Sequence, residues 1–130
     1  MYLSIDFNSD IPIYEQIKRQ MVEAIARGEL LPGEDLPSVR QLGEDLGVNL
    51  HTINKSYKHL QNMGYVSMDR RIGTVVSTEF PDFSDKEWDC FESEMEFLIS
   101  DWMNRGGTED EIIDFIEKKI RAIKEGKNNG

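Results

Sequence analysis

Between Asn49 and Met63 the polar residues His51, Asn54, Lys55 and Lys58 recur at the spacing of one helix face, and the apolar Ile53, Tyr57, Leu60 and Met63 recur on the other. A face of this kind carries amide and imidazole groups that hydrogen-bond to base edges, and ammonium groups that neutralise phosphates. Arg70 and Arg71 add two more cations just beyond it. The remaining reactive residues are few. His51 and His59 are the only histidines and lack a third ligand, and Cys90 is the only cysteine, so neither a metal site nor an internal disulfide is expected. No glycine-rich phosphate loop, no Ser/His/Asp set and no paired carboxylates on a plausible cleft occur, so an enzyme is not indicated and no cofactor is implied. Taken alone, the polar face would equally suit a helical hairpin with a solvated outer side.

The elements that must hold this face are legible on both sides of it. Ser38 is placed to open a capping box with Gln41, after which Val39, Leu42 and Leu46 share one helix face and Gly47 supplies a stop. Asn49 is a good N-cap for the helix that follows. Two short helices joined by a glycine-containing turn are the pattern of a helix-turn-helix, whose second helix enters the DNA major groove. Upstream, Pro12 begins a helix over about 12–27 with Ile13, Ile17, Met21, Ala24 and Ile25 on one face, and Gly28 ends it. Pro32-Gly33 makes a turn from which Leu30 and Leu36 tuck inward. Downstream, residues 65–68 and 74–77 read as short strands around a turn at 69–73, with the two arginines at its tip. Three helices and then a hairpin is the order of a winged helix-turn-helix.

After a linker at 79–83 the chain becomes helical again. Ser84 with Glu87, and Thr108 with Glu111, form two further capping boxes, predicting helices to Asn104 and to about Lys124 on either side of Gly106-Gly107. The first carries Trp88, Phe91, Met95, Leu98, Ile99, Trp102 and Met103 in one broad stripe, and the second Ile112, Ile113, Phe115, Ile116, Ile120 and Ile123. Each stripe is wider than one facing helix can cover, and a lone hairpin closes no core. A second copy of the chain is the simplest partner, with Trp88, Phe91, Met95, Leu98, Trp102, Ile112, Ile116 and Ile120 at the interface. The other use of such a stripe is a ligand pocket. The expected class is α+β and mostly helical: a winged helix-turn-helix domain at 1–78, the linker, and a two-helix dimerisation hairpin at 84–130 that could also serve an effector.

Charge sharpens this division. The 130 residues carry a net charge of -10, which argues against nucleic acid until its distribution is read. Residues 79–130 hold 7 basic and 15 acidic groups, whereas residues 46–78 hold four basic residues against the single acid Asp69. The acid is in the tail, and a small basic footprint covers the second helix and the hairpin tip. No apolar run reaches the roughly 18 residues of a membrane span, and the opening MYLSIDFNSD lacks the basic start and apolar stretch of a signal peptide, so a cytoplasmic protein with no membrane partner is expected.

The stretch IPIYEQIKRQMVEAIARGELLPGEDLPSVRQLGEDLGVNLHTINKSYKHLQNMGYV, followed by RRIGTVVS, resembles the DNA-binding domain of the GntR family of bacterial transcription regulators. The likeness covers about residues 11–77, and the short two-helix tail resembles the YtrA-type subfamily. That resemblance implies a tail serving dimerisation and a gene beside an ABC transporter operon. It also implies that Arg40, in P-S-V-R, contacts the operator from the second helix, that Asn49, His51, Thr52 and Asn54 lie at or near the positions touching bases and phosphates, and that Gly73 and Thr74 belong to the wing. The expected DNA-contacting set is then Ser38, Arg40, Asn49, Leu50, His51, Thr52, Asn54, Lys55, Lys58, Arg70, Arg71, Gly73 and Thr74. Two departures bear on specificity. Leu50 stands where many relatives have arginine, and it can meet a thymine methyl but cannot pair bidentately with guanine. Arg71 and Ile72 replace the wing's usual glycine and basic residue before G-T.

The resulting expectation is a homodimeric repressor on a palindromic double-stranded operator. A rival is a winged-helix protein-docking module without a specific DNA site, which the acidic balance would suit but the basic residues at both helix and wing would not. A third reading adds an unidentified small-molecule effector bound between the tail helices and the DNA domain.

Overall fold

Helix α1 (Ile13–Ala26) forms where apolar residues recur at helical spacing, and it buries Ile17, Met21, Ala24 and Ile25. In the computed structural model, which describes residues 2–129, it is followed by α2 (Val39–Leu46), α3 (Leu50–Asn62), β1 (Val66–Asp69), β2 (Gly73–Val76), α4 (Asp85–Asn104) and α5 (Glu109–Asn129). This is the winged helix order, followed along the chain by a helical hairpin. The chain divides into two compact units between Pro81 and Asp82, the residues from Gly126 being grouped with the first.

In the first unit α3 packs against both α1 and α2, and Ile53, Tyr57 and Leu60 are completely buried between them. Leu30, Leu36, Leu42, Val66 and Val76 complete the same core. Tyr57 brings a polar end into this apolar setting, and its hydroxyl donates to the Pro37 carbonyl at 2.7 Å. Burial pushes its ionisation well above the ordinary 10.0, so it remains a neutral donor tying α3 to the entry of α2. The turn between α2 and α3 depends on Gly47 at φ 66, the left-handed conformation that glycine adopts without a Cβ penalty. Val48 N then donates back to the Gly43 carbonyl at 2.9 Å, closing the helix end.

Several local expectations are adjusted. Ser38 caps α2 by accepting from Gln41 N at 3.0 Å, but the Gln41 side chain turns forward to donate to Asp45 at 2.7 Å, so the reciprocal half of the capping box is not made. Met63 is not on the packed face. It is the C-cap of α3, where the helix has already ended, and it is exposed. The strands sit one residue from their expected places, and α5 continues past Lys124, through Gly126, to Asn129.

Two features of the first unit are not readable as periodicity. The segment after Pro32-Gly33 adds an edge to the hairpin: Gly33 N and Leu36 N donate to the Val76 and Thr74 carbonyls at 2.8 Å each, and Val76 N donates to Glu34 O at 2.9 Å. The wing is thereby fastened to the chain leading into α2. At the other end, Gln16 and Gln20, one helical turn apart, hold the N-terminal segment like a neighbouring strand. Gln20 exchanges two hydrogen bonds with the Ser4 backbone and Gln16 two with that of Asp6, at 2.8–2.9 Å. A primary amide presents the same donor and acceptor as a peptide group, and this pairing lays Leu3 and Ile5 against the core.

In the second unit, Ser84 and Glu87 form a full capping box at the start of α4. Thr108 and Glu111 do the same for α5. The turn between these helices is set by Trp102, whose indole Nε1 donates to the Thr108 carbonyl at 3.0 Å. The Trp102 ring lies so close to Gly107 that any Cβ there would overlap it. Beyond this turn α4 and α5 do not pack along their lengths, and between them lies a cleft of about 550 Å³ lined by Leu98, Trp102, Glu111, Ile112, Asp114 and Phe115. No residue of α4 is buried.

Candidate nucleic-acid interface

The exposed side of α3 is built by subtraction. With Ile53, Ser56, Tyr57 and Leu60 buried, the helix turns Leu50, His51, Asn54, Lys55 and Lys58 outward, and Thr52 is half-buried beside them. Asn49 is committed to the start of the helix, where its side-chain oxygen accepts from His51 N at 2.8 Å. That cap fixes the direction in which His51 and the first turn leave the helix-turn-helix corner. Ser38 has the equivalent position on α2, and Arg40 projects from the first turn of that helix with its side chain exposed and, among the described residues, in no ion pair.

Packing of α3 against β1 places the wing beside this face. Asp69 opposes Gly73 at the end of the ladder, leaving Arg70, Arg71 and Ile72 at the exposed tip. Asp69 organises that tip by accepting from Arg71 N at 2.7 Å, and it lies 3.8 Å from the Arg71 guanidinium. This exposed pair is too weak to occupy the arginine when a phosphate is at hand. Lys58 of α3 and Arg70, Gly73 and Thr74 of the wing line one shallow cleft of about 330 Å³, so the helix and hairpin cations share a surface. Thr74 differs from the rest of the set, being 8% exposed with its carbonyl bonded to Leu36 N. Its backbone fastens the wing to the chain leading into α2.

The fold and the charge layout together form a surface of exposed hydrogen-bonding side chains flanked by cations, the arrangement a duplex groove requires. What the sequence did not reveal is that α1 reaches this face of α3. Tyr14 lies under Lys55, with the ammonium 3.9 Å from its ring centroid, and its ring meets that of His59 edge-on at 5.2 Å. The aromatic at 14 and the lysine at 55 have no spacing relation that periodicity could reveal.

Comparison with known proteins agrees with this geometry. Residues 13–76 match the model of the bacterial regulatory proteins of the gntR family. The chain is 32% identical to the HTH-type transcriptional repressor YtrA of Bacillus subtilis (strain 168) over 98% of both proteins. Its fold superposes on the crystal structure of a transcriptional antiterminator from Listeria monocytogenes EGD-e with a TM-score of 0.87, at 26% identity and over 95% of this chain and 92% of that one. The DNA-binding domain of AraR, solved in complex with operator ORX1, matches 59% of this chain and 99% of its own at a TM-score of 0.53 and 28% identity. With a winged helix-turn-helix whose donors and cations lie on one surface, and with YtrA-like length throughout, this chain belongs to the gntR family of bacterial regulatory proteins.

Proposed function

We propose that this DNA-binding transcription regulator acts in the cytoplasm as a homodimeric repressor, placing two copies of α3 in successive major grooves of a palindromic operator, about 34 Å apart. Residues 1–78 bind DNA, 79–83 link, and 84–130 pair with a second copy. The observation that carries the reading is the tail's unburied apolar surface: Trp88, Phe91, Leu98, Trp102 and Ile120 are each 38% exposed or more. Half-buried Met95, Ile112 and Ile116 lie among them. Contiguous apolar surface on this scale marks an association site, and a two-fold pair of chains calls for a two-fold site in the DNA.

Within the DNA-binding surface, Arg40 and the first turns of α3 from Asn49 to Asn54 read sequence. Lys55, Lys58, Arg70 and Arg71 serve phosphates. Leu50, 44% exposed at the start of α3, sets a preference for a thymine methyl where an arginine would seek guanine. Selection of bound duplexes from a random pool tests the whole reading. The expected product is an inverted repeat bound by two chains, and recovery of unrelated sequences with no shared repeat would overturn it.

A further inference from the structure

We propose that Tyr14 of α1, outside the helix-turn-helix, is a positioning residue for DNA binding: its ring holds the Lys55 ammonium in place on the outer face of α3. The inference rests on the reading of Lys55 as a phosphate contact. Three contacts from two successive turns of α3 converge on Tyr14. The Lys55 Nζ lies 3.9 Å from the ring centroid, Ser56 Oγ donates to the Tyr14 carbonyl at 2.9 Å, and the His59 ring meets the tyrosine edge-on with centroids 5.2 Å apart. Ser56 is completely buried, so this hydrogen bond anchors the Tyr14 backbone to the core side of α3 while its ring extends towards the outer side.

The chemistry of the contact suits a lysine that must remain available. Lysine is a point charge on a flexible stem and must lose rotamer freedom to settle on a phosphate. A carboxylate under the ammonium would restrict it but would also neutralise it. An aromatic face attracts the cation through its quadrupole and leaves its charge intact. Lys55 has no carboxylate partner among the described residues. Lys58, one turn on, has no aromatic beneath it among the described residues and serves as an internal control.

The test is a binding cycle of the wild type, Tyr14→Leu, Lys55→Ala and the double variant, measured on a random-sequence duplex across a salt series by fluorescence anisotropy. Lys55→Ala is expected to reduce the salt slope by about one unit. Tyr14→Leu is expected to weaken binding about two- to fivefold, the range of an exposed cation-π contact. In the Lys55→Ala background it should cost nothing further, while its effect should persist undiminished in Lys58→Ala. Tyr14→Phe, which keeps the ring, should bind as the wild type does.

An equal loss from Tyr14→Leu with and without Lys55 would overturn the positioning role while leaving Lys55 as a DNA contact. A Tyr14→Phe variant as weak as Tyr14→Leu would overturn it in favour of the hydroxyl. An unchanged affinity and slope in Lys55→Ala would remove the underlying reading, and the proposal with it. Should Tyr14→Leu fold poorly, NMR of the unaltered protein decides independently. The Lys55 ε-methylene protons should be shifted upfield by the ring beneath them, and random-coil shifts would overturn the proposal.

Discussion

Arg40 and Lys58 illustrate how two exposed cations on neighbouring helices differ in their expected contribution. Arg40 leaves the first turn of α2 without an ion-pair partner among the described residues, and its planar guanidinium suits bidentate recognition of a base. Lys58 opens onto the cleft shared with Arg70 of the wing, and in the proposed reading its point charge serves a phosphate. Replacing Arg40 with alanine should therefore weaken binding to the operator by about 1–3 kcal/mol and relax its specificity, with little change on scrambled DNA. Replacing Lys58 with alanine should weaken both DNAs alike and lower the salt slope by about one unit. Gel shifts of both variants on both duplexes across salt check these outcomes. Arg40 is legible in the P-S-V-R motif, and Lys58 in the helical spacing of the polar face. The burial of Thr74 was not legible, because it follows from the 33–36 segment pairing with β2, a contact between residues distant in sequence.

At the scale of the element, the tail helices begin on capping boxes that the Ser84/Glu87 and Thr108/Glu111 spacings announce and the structure makes. Glu87 has a consequence for pH. Its carboxylate accepts from the Ser84 backbone, and hydrogen bonds at Ser84 hold its pKa below the ordinary 4.5. A group whose folded pKa is depressed stabilises the fold above its unfolded pKa and loses that contribution as pH falls through the folded value. Glutamine at position 87 can form the same box without ionising. The wild type should thus melt above the Glu87→Gln variant at neutral pH, and the difference should shrink as the pH falls through the depressed folded pKa of Glu87 and its carboxylate is protonated. Thermal melts followed by circular dichroism at several pH values measure this. The effect will be small, since Glu87 is fully solvated.

At the scale of the molecule, the two units present opposite problems. The first closes a core around Ile17, Met21, Ile53, Tyr57, Leu60 and Val76, each 1% exposed or less. The second closes none, and leaves Phe97, Leu98, Met103 and Phe115 more than half exposed. Burying such surface is worth roughly 25 cal/mol per Å² of apolar area, so a tail that stays single forgoes most of what its sequence could contribute. A chain ending at Ser77 should consequently sediment as a monomer and bind a full palindrome far more weakly than the entire protein. If it remained dimeric in analytical ultracentrifugation, the tail would not be the dimerisation element.

The helices, most of their caps, the hairpin and the outward polar face of α3 could be read from the sequence, because they depend on spacings of a few residues and on local backbone chemistry. The charge split between the halves was equally plain. Only the tertiary structure decided that Gln16 and Gln20 clasp the N-terminal segment, that the 33–36 segment edges the wing, and that Tyr14 lies beneath Lys55. Each of these joins residues whose separation along the chain has no period, and each exists only once α1, α3 and β2 have packed around the same core.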